Sequence, residues 1–187
     1  MVADWVGALL LACLLGCALW RDIVSRRIPN VLVVVALIAG GVMHLVAVQM
    51  GGSFLGSAAG LDRSVLGALA GLSVMLPLYL CRAMGAGDVK LMAGVGAFLG
   101  PMPTLGAALL TFVAGGIFSL TFALWSGAMM RVFDNFRLMC ILTLSDRSSG
   151  LSMRDVQTTG RLPYALAIAV GTGLQLWLAT KGSWPFK

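Results

Sequence analysis

The sequence predicts an all-α protein, a polytopic membrane helix bundle with six transmembrane helices and a cytoplasmic interfacial amphipathic helix. Two observations predict this class. Of the 187 residues, 59% are hydrophobic and only 11% are charged, whereas a soluble domain carries about 25% charged residues. Uncharged segments also recur along the chain at about the length that crosses a bilayer. The apolar surface is therefore expected to face lipid, which excludes an ordinary soluble domain.

Six apolar segments predict the transmembrane helices. The uncharged segment between Lys90 and Arg131 is long enough for two of them, and Gly100–Pro101–Met102–Pro103 is the expected turn between those two. The fourth helix reaches only roughly 20 Å, so its beginning is expected to lie recessed inside the bundle. The predicted spans of this single domain (1–187) are about 5–20, 31–50, 64–81, 88–100, 104–130 and 162–180, with a cytoplasmic loop at 131–161.

The distribution of Lys and Arg predicts the orientation. Most of them follow spans one, three and five, and cytoplasmic loops are the ones enriched in these residues. Both termini are then expected to face outward. The first segment differs from a signal peptide because Asp4 precedes it and Arg21 follows it. The part of the loop near 131–140 has helical spacing of apolar residues and predicts the interfacial helix.

The net charge of +6 predicts contacts with lipid headgroups and not with nucleic acid, because the basic residues sit between apolar spans without interleaved stacking aromatics. No cysteine spacing suits zinc, so neither a metal nor a cofactor is expected. The cysteines are expected to pack as small side chains within the protein; they are Cys13, Cys17, Cys81 and Cys140.

Two aspartates, Asp22 and Asp88, fall at the predicted cytoplasmic ends of spans. Ionisable groups at membrane depth are costly and usually serve a function; the alternative is that each is a solvated loop acid. Asp88 lies in Gly85–Ala86–Gly87–Asp88–Val89–Lys90–Leu91, whose glycines would let a peptide backbone approach. Asp22 precedes Arg27–Ile28–Pro29–Asn30.

These two motifs resemble the type IV prepilin peptidases, within the GxGD membrane aspartic peptidases. Arg161–Leu162–Pro163–Tyr164 is a further match, although Ala165 stands where the family often has Gly. The resemblance implies an aspartic endopeptidase of the bacterial inner membrane, with catalytic Asp22 and Asp88 facing the cytoplasm. Its substrates would be prepilin or pseudopilin precursors with a short basic leader. Residues implied to shape the substrate site are Gly85, Gly87, Lys90, Arg27, Pro29 and Asn30.

The short chain resembles the small prepilin peptidases of tight-adherence (Tad/Cpa-type, Flp pilus) systems. Larger family members carry a cytoplasmic insertion after span one that is linked to N-methylation, and methyltransferase activity is not expected here.

In the expected mechanism, one ionised carboxylate would take a proton from water. The protonated carboxylate would donate a hydrogen bond to the scissile carbonyl. Lys90 could turn toward Asp88 or anchor to headgroups. The sequence leaves the pilin, the protonated aspartate and the oligomeric state open.

Three alternatives remain at this point. The chain could be a preflagellin peptidase, another GxGD peptidase of the signal-peptide peptidase or presenilin type, or a non-enzymatic small transporter or pilus assembly factor. A transporter would more often show inverted repeats and acids near the midplane, and neither is visible.

His44 is expected to be a packed interhelical residue. Gly67, Gly71 and the Gly115–Gly116 pair are expected to allow close helix packing.

Overall fold

The structure, a computed structural model, describes residues 2–25, 28–55, 57–81, 84–125, 164–181 and 185–186. These residues form six helices and one short hairpin. The chain divides into two compact units, Met1–Gly115 with Pro163–Lys187, and Gly116–Leu162. The elements are α1 (Val2–Ser25), α2 (Asn30–Met50), β1 (Ser53–Phe54), β2 (Ser57–Ala58), α3 (Leu61–Leu80), α4 (Ala86–Leu99), α5 (Pro101–Trp125) and α6 (Tyr164–Thr180).

Helix lengths and composition confirm an all-α membrane bundle. Helices α1, α2, α3 and α5 are long and apolar enough to cross a membrane. Helix α6 is apolar with 17 residues, and α4 has only 14 residues. The predicted interfacial helix and the loop 131–161 lie outside the described residues, so they stay predictions.

Helix α4 is the buried centre of the first unit, with every residue from Leu91 to Leu99 buried. Helices α2 and α3 pack along it. Glycines permit this, as predicted for Gly67 and Gly71: a Cβ on Gly71 would lie 2.9 Å from the carbonyl carbon of Met92, and one on Gly67 would lie 2.8 Å from Cα of Gly100. At Gly116 an added Cβ would meet nothing within 4 Å among the described residues, so its packing role stays a prediction.

The turn between α4 and α5 is shorter than predicted. Gly100 alone separates the two helices, with φ of 81°, a left-handed value that glycine adopts without steric cost. Pro101 and Pro103 lie in the first turn of α5, where a missing N–H leaves no helical hydrogen bond unmade. The predicted turn at 100–103 therefore contracts to one residue.

The hairpin β1–β2 was not predicted. It pairs Ser53 with Ala58 and Phe54 with Ser57, and the carboxylate of Asp4 accepts a hydrogen bond from the Leu55 amide at 2.9 Å. The sequence signal is weak because two-residue strands have no readable periodicity.

His44 is fully buried between elements, which confirms its predicted packing role. Its Nδ1 accepts the Gly60 N–H at 3.3 Å, so Nε2 is the nitrogen that donates to the Phe98 carbonyl at 3.1 Å. The Phe54 ring packs edge-on at 5.0 Å between ring centroids. His44 thus joins α2, α4 and the hairpin and takes no part in the aspartate site.

The prediction that the cysteines pack within the protein is wrong for those the structure describes. Cys13, Cys17 and Cys81 are free thiols with exposed side chains, because Cys13 and Cys17 lie on the face of α1 that points away from the buried helices. Cys140 lies outside the described residues.

The exposed rings of Trp5 and Trp20 lie near the two ends of α1. Tryptophans at such positions lie at the interfaces between bilayer and water.

Candidate active site

Asp88 is held by the beginning of its own helix. It is the third residue of α4, and its Oδ2 accepts the N–H of Gly85, the residue before the helix, at 3.3 Å. In return the Asp88 N–H donates to the Gly85 carbonyl at 3.2 Å. A carboxylate in the first turn is favoured because free N–H groups and the helix dipole point at it.

The two glycines of the motif contact different groups. A Cβ on Gly85 would lie 3.3 Å from Oδ2 of Asp88, so glycine leaves room for that carboxylate. A Cβ on Gly87 would lie 3.3 to 3.5 Å from the side chain of Ile28. The space beside Gly87 is thus occupied by a residue of the first motif, and of the two only Gly85 is exposed.

Asp22 lies inside α1, three residues before its end, and not beyond the helix as the predicted span 5–20 implied. Its Oδ2 accepts the backbone N–H of Ala165 at 3.3 Å, a contact across 143 residues of chain. Ala165 is the second residue of α6, where the amide has no partner within the helix. The carboxylate therefore supplies an acceptor to α6 and is fixed by it.

The two aspartates lie in one site. The carboxylates of Asp22 and Asp88 interact electrostatically, and the charge of Asp88 also acts on the hydroxyl of Tyr164. All three side chains are partly buried. The ring of Tyr164 packs on Gly115, where an added Cβ would lie 2.9 Å from the ring. Two helix beginnings and the end of α1 thus converge on one pair of acids.

Of the remaining predicted site residues, Lys90 and Asn30 join the two motifs. Lys90 Nζ donates to Oδ1 of Asn30 at 3.0 Å, so its ammonium group binds the start of α2. Pro29 precedes α2 with an extended backbone, φ −67° and ψ 137°, as the residue before a helix usually has. Arg27 lies outside the described residues.

Chemically, a pair of adjacent carboxylates can share one proton. One group can then take a proton from water while the other donates a hydrogen bond to a carbonyl. Both side chains are only partly buried, so part of each carboxylate stays accessible from outside the protein.

The sequence pattern alone missed what Tyr164 and Ala165 do. In the sequence, Tyr164 belongs to a further motif match and Ala165 departs from it, and neither observation predicts a contact with an aspartate. The available signal was Pro163 immediately before an apolar segment, because a proline there marks the start of a helix. Backbone N–H groups in the first turn of a helix have no partner within it, so they can bind a carboxylate. The backbone amide that meets Asp22 is present with either alanine or glycine at position 165.

Residues 9–120 of the chain match the type IV leader peptidase family. The chain belongs to this family. The matched segment contains Asp22 and Asp88 but not Tyr164 or Ala165. No curated protein and no solved structure shows detectable similarity to the chain. Membership in the leader peptidase family, together with the apolar helices, supports a membrane-bound peptidase. The family implies substrates of the prepilin type.

Proposed function

We propose that this member of the leader peptidase family is an aspartic endopeptidase that removes the short basic leader of type IV or Flp prepilins. Asp22 and Asp88 form its catalytic pair. The observation that carries the proposal is the convergence of these two carboxylates, each fixed by the amide of a different helix beginning. Prepilins and pseudopilins are the proposed substrates, and the small tight-adherence type is the proposed subclass.

The proposed reaction is hydrolysis at the leader junction. The ionised carboxylate takes a proton from water, whose oxygen attacks the scissile carbonyl carbon, while the protonated carboxylate hydrogen-bonds the carbonyl oxygen. Collapse of the tetrahedral intermediate breaks the C–N bond, and the leaving amine takes up a proton from the pair.

The proposed location is the cytoplasmic face of the bacterial inner membrane. The excess of Lys and Arg after spans one, three and five supports this side, and the beginnings of α4 and α6 lie on the same side as the end of α1. Basic leaders of prepilins also remain in the cytoplasm. Only residues 26–29 separate α1 from α2, and N-methylation is not part of the proposal.

The test is leader removal from a co-expressed prepilin, read as a gel shift. We expect Asp22→Asn and Asp88→Asn each to abolish cleavage while the protein still inserts in membranes, because a neutral amide can neither take nor share the proton. Asp62→Asn is the matched control, since Asp62 lies exposed at the start of α3 beside Arg63. Normal processing by either site variant would overturn the catalytic assignment.

A preflagellin peptidase would use the same two carboxylates, so the distinction rests on substrate. A panel of purified prepilin and preflagellin precursors, cleaved by the wild-type protein in detergent, separates these possibilities. We expect cleavage of the Flp-type prepilin. Cleavage of preflagellin alone would correct the substrate, and a lack of cleavage of every precursor would favour a non-enzymatic assembly factor.

A further inference from the structure

A groove of about 290 Å³ runs between α1 and α6. It is lined mainly by small side chains, and it lies entirely within the first compact unit. Small residues allow another helix to approach closely within a membrane. The small residues along its walls are Ala8, Ala12 and Gly16 on α1 and Ala169, Thr172 and Gly173 on α6.

The groove is continuous with the aspartate pair. Its lining on α1 ends at Leu19, and Asp22 is the next position on the same helical face. On α6 the lining begins at Ala169, one turn after Ala165, whose amide binds Asp22. The groove extends from this end for roughly 16 Å along α1, at 1.5 Å per residue. A chain held at the carboxylates can therefore continue directly into it.

A buried hydroxyl in the wall of the groove has no partner. Thr172 is only 1% exposed, and its Oγ1 makes no hydrogen bond within the part of the chain that the structure describes. The other threonines of the described helices bond a backbone carbonyl of the preceding turn, as Thr111 does at 2.7 Å; the others are Thr104, Thr121 and Thr180. An unpaired buried hydroxyl is costly, so Thr172 indicates a ligand that supplies the missing bond.

Two glycines show that the groove has room. An ideal Cβ added at Gly16 or at Gly173 would meet no atom of the described residues within 4 Å. Elsewhere in α6 the opposite holds, because a Cβ on Gly171 would lie 2.7 Å from Cα of Thr111. Gly171 is needed for packing between helices, whereas Gly16 and Gly173 leave open space along the groove.

We propose that this groove binds the apolar transmembrane helix of the precursor, immediately beyond the bond that Asp22 and Asp88 cleave. The proposal rests on the proposed function. An apolar helix fits the lining, and continuity with Asp22 explains how the bond before that helix reaches the carboxylates. Thr172 lies two helical turns beyond Ala165, so it would meet a polar group or a backbone carbonyl about seven residues into the bound helix.

The kinetic test uses a purified Flp-type prepilin with its own leader and apolar helix. Gly173→Leu and Gly16→Leu fill the groove without striking the fold, so we expect KM to rise about tenfold with kcat near wild type. Gly116→Leu is the matched control, because it is also an exposed helical glycine with open space. Thr172→Val keeps the volume, and we expect KM to rise about fivefold from the lost hydrogen bond.

A cross-linking test identifies the occupant. In the Asp22→Asn, Asp88→Asn double variant with native cysteines replaced, Gly173→Cys should form a disulfide with a cysteine placed in the precursor's apolar helix. Gly116→Cys should not. A disulfide between two copies of the enzyme would overturn the proposal. If no disulfide forms, the proposal is also overturned, and the groove would then be filled by lipid.

The outcomes separate this proposal from the proposed function. If wild type cleaves the prepilin and both groove variants have an unchanged KM, the groove proposal fails and proteolysis stands. If wild type cleaves no precursor, the proposed function fails and the occupant fails with it. Gel filtration in detergent checks that each variant is folded; should Gly173→Leu aggregate, Gly16→Leu and Thr172→Val decide the kinetic result.

Discussion

At the scale of single residues, the two aspartates owe their positions to backbone amides. Asp88 binds the Gly85 N–H before its own helix, and Asp22 binds the Ala165 N–H in the first turn of α6. Both are therefore fixed by helix beginnings, where unpaired donors and the helix dipole favour a carboxylate. Such fixing leaves the second carboxylate oxygen of each residue available for water or substrate.

Gly85 offers a sharp test of this positioning. Its φ of −79° suits any residue, so Gly85→Ala changes only the space beside Asp88, where the new Cβ would lie 3.3 Å from Oδ2. We expect the cleavage rate to fall about tenfold, since small displacements of catalytic groups cost this much or more. Gly116→Ala is the control, and a wild-type rate for Gly85→Ala would contradict the positioning role.

At the scale of elements, α4 is the helix that the rest of the first unit surrounds. It brings Asp88 to the site, and Lys90 ties it to Asn30 at the beginning of α2 at 3.0 Å. Its close approach to α3 depends on glycines because their missing side chains let backbones touch. The position of Asp88 therefore depends on packing far along the helix.

Gly71→Ala tests this dependence. The new Cβ would lie 2.9 Å from the Met92 carbonyl carbon and 3.2 Å from Cα of Ala93, and backbone atoms cannot move aside as a side chain can. We expect a loss of stability of about 1–3 kcal/mol, measured as a lower unfolding midpoint in detergent. Gly16→Ala, where no described residue crowds the new Cβ, should leave the midpoint unchanged or raise it slightly, because alanine favours a helix over glycine. An equal midpoint for both variants would mean that α3 and α4 are not so tightly packed.

At the scale of the whole molecule, the proposed orientation places the hairpin outside and the end of α3 in the cytoplasm. Cys81, which follows α3, and Ser53, in the hairpin, are both exposed. In spheroplasts, a membrane-impermeant maleimide should label Ser53→Cys without permeabilisation. It should label native Cys81 only after lysis. Each is measured with the other cysteines replaced, and the reverse pattern would invert the proposed topology.

The sequence was sufficient for the class of fold and for the two acids. Long uncharged segments must satisfy their backbone hydrogen bonds internally in lipid, so helices were required. Asp22 and Asp88 were recognisable because charged groups are rare in such a chain. Two predicted helix ends differ from the structure, since α1 continues beyond Asp22 and α5 begins at Pro101. Neither composition nor charge marks those boundaries.

The contacts of each acid, and the groove that we propose for the substrate helix, depend on how the helices pack. The Ala165 amide and Asp22 are 143 residues apart in the chain, so no local pattern could pair them. Gly171 packs against Thr111, whereas no described residue lies beside Gly173, and the two glycines cannot be told apart from the sequence. Burial in lipid acts on each segment separately, so the bundle and its two acids were predictable without a structure. The site and its groove depend on distances between helices, which only their packing sets.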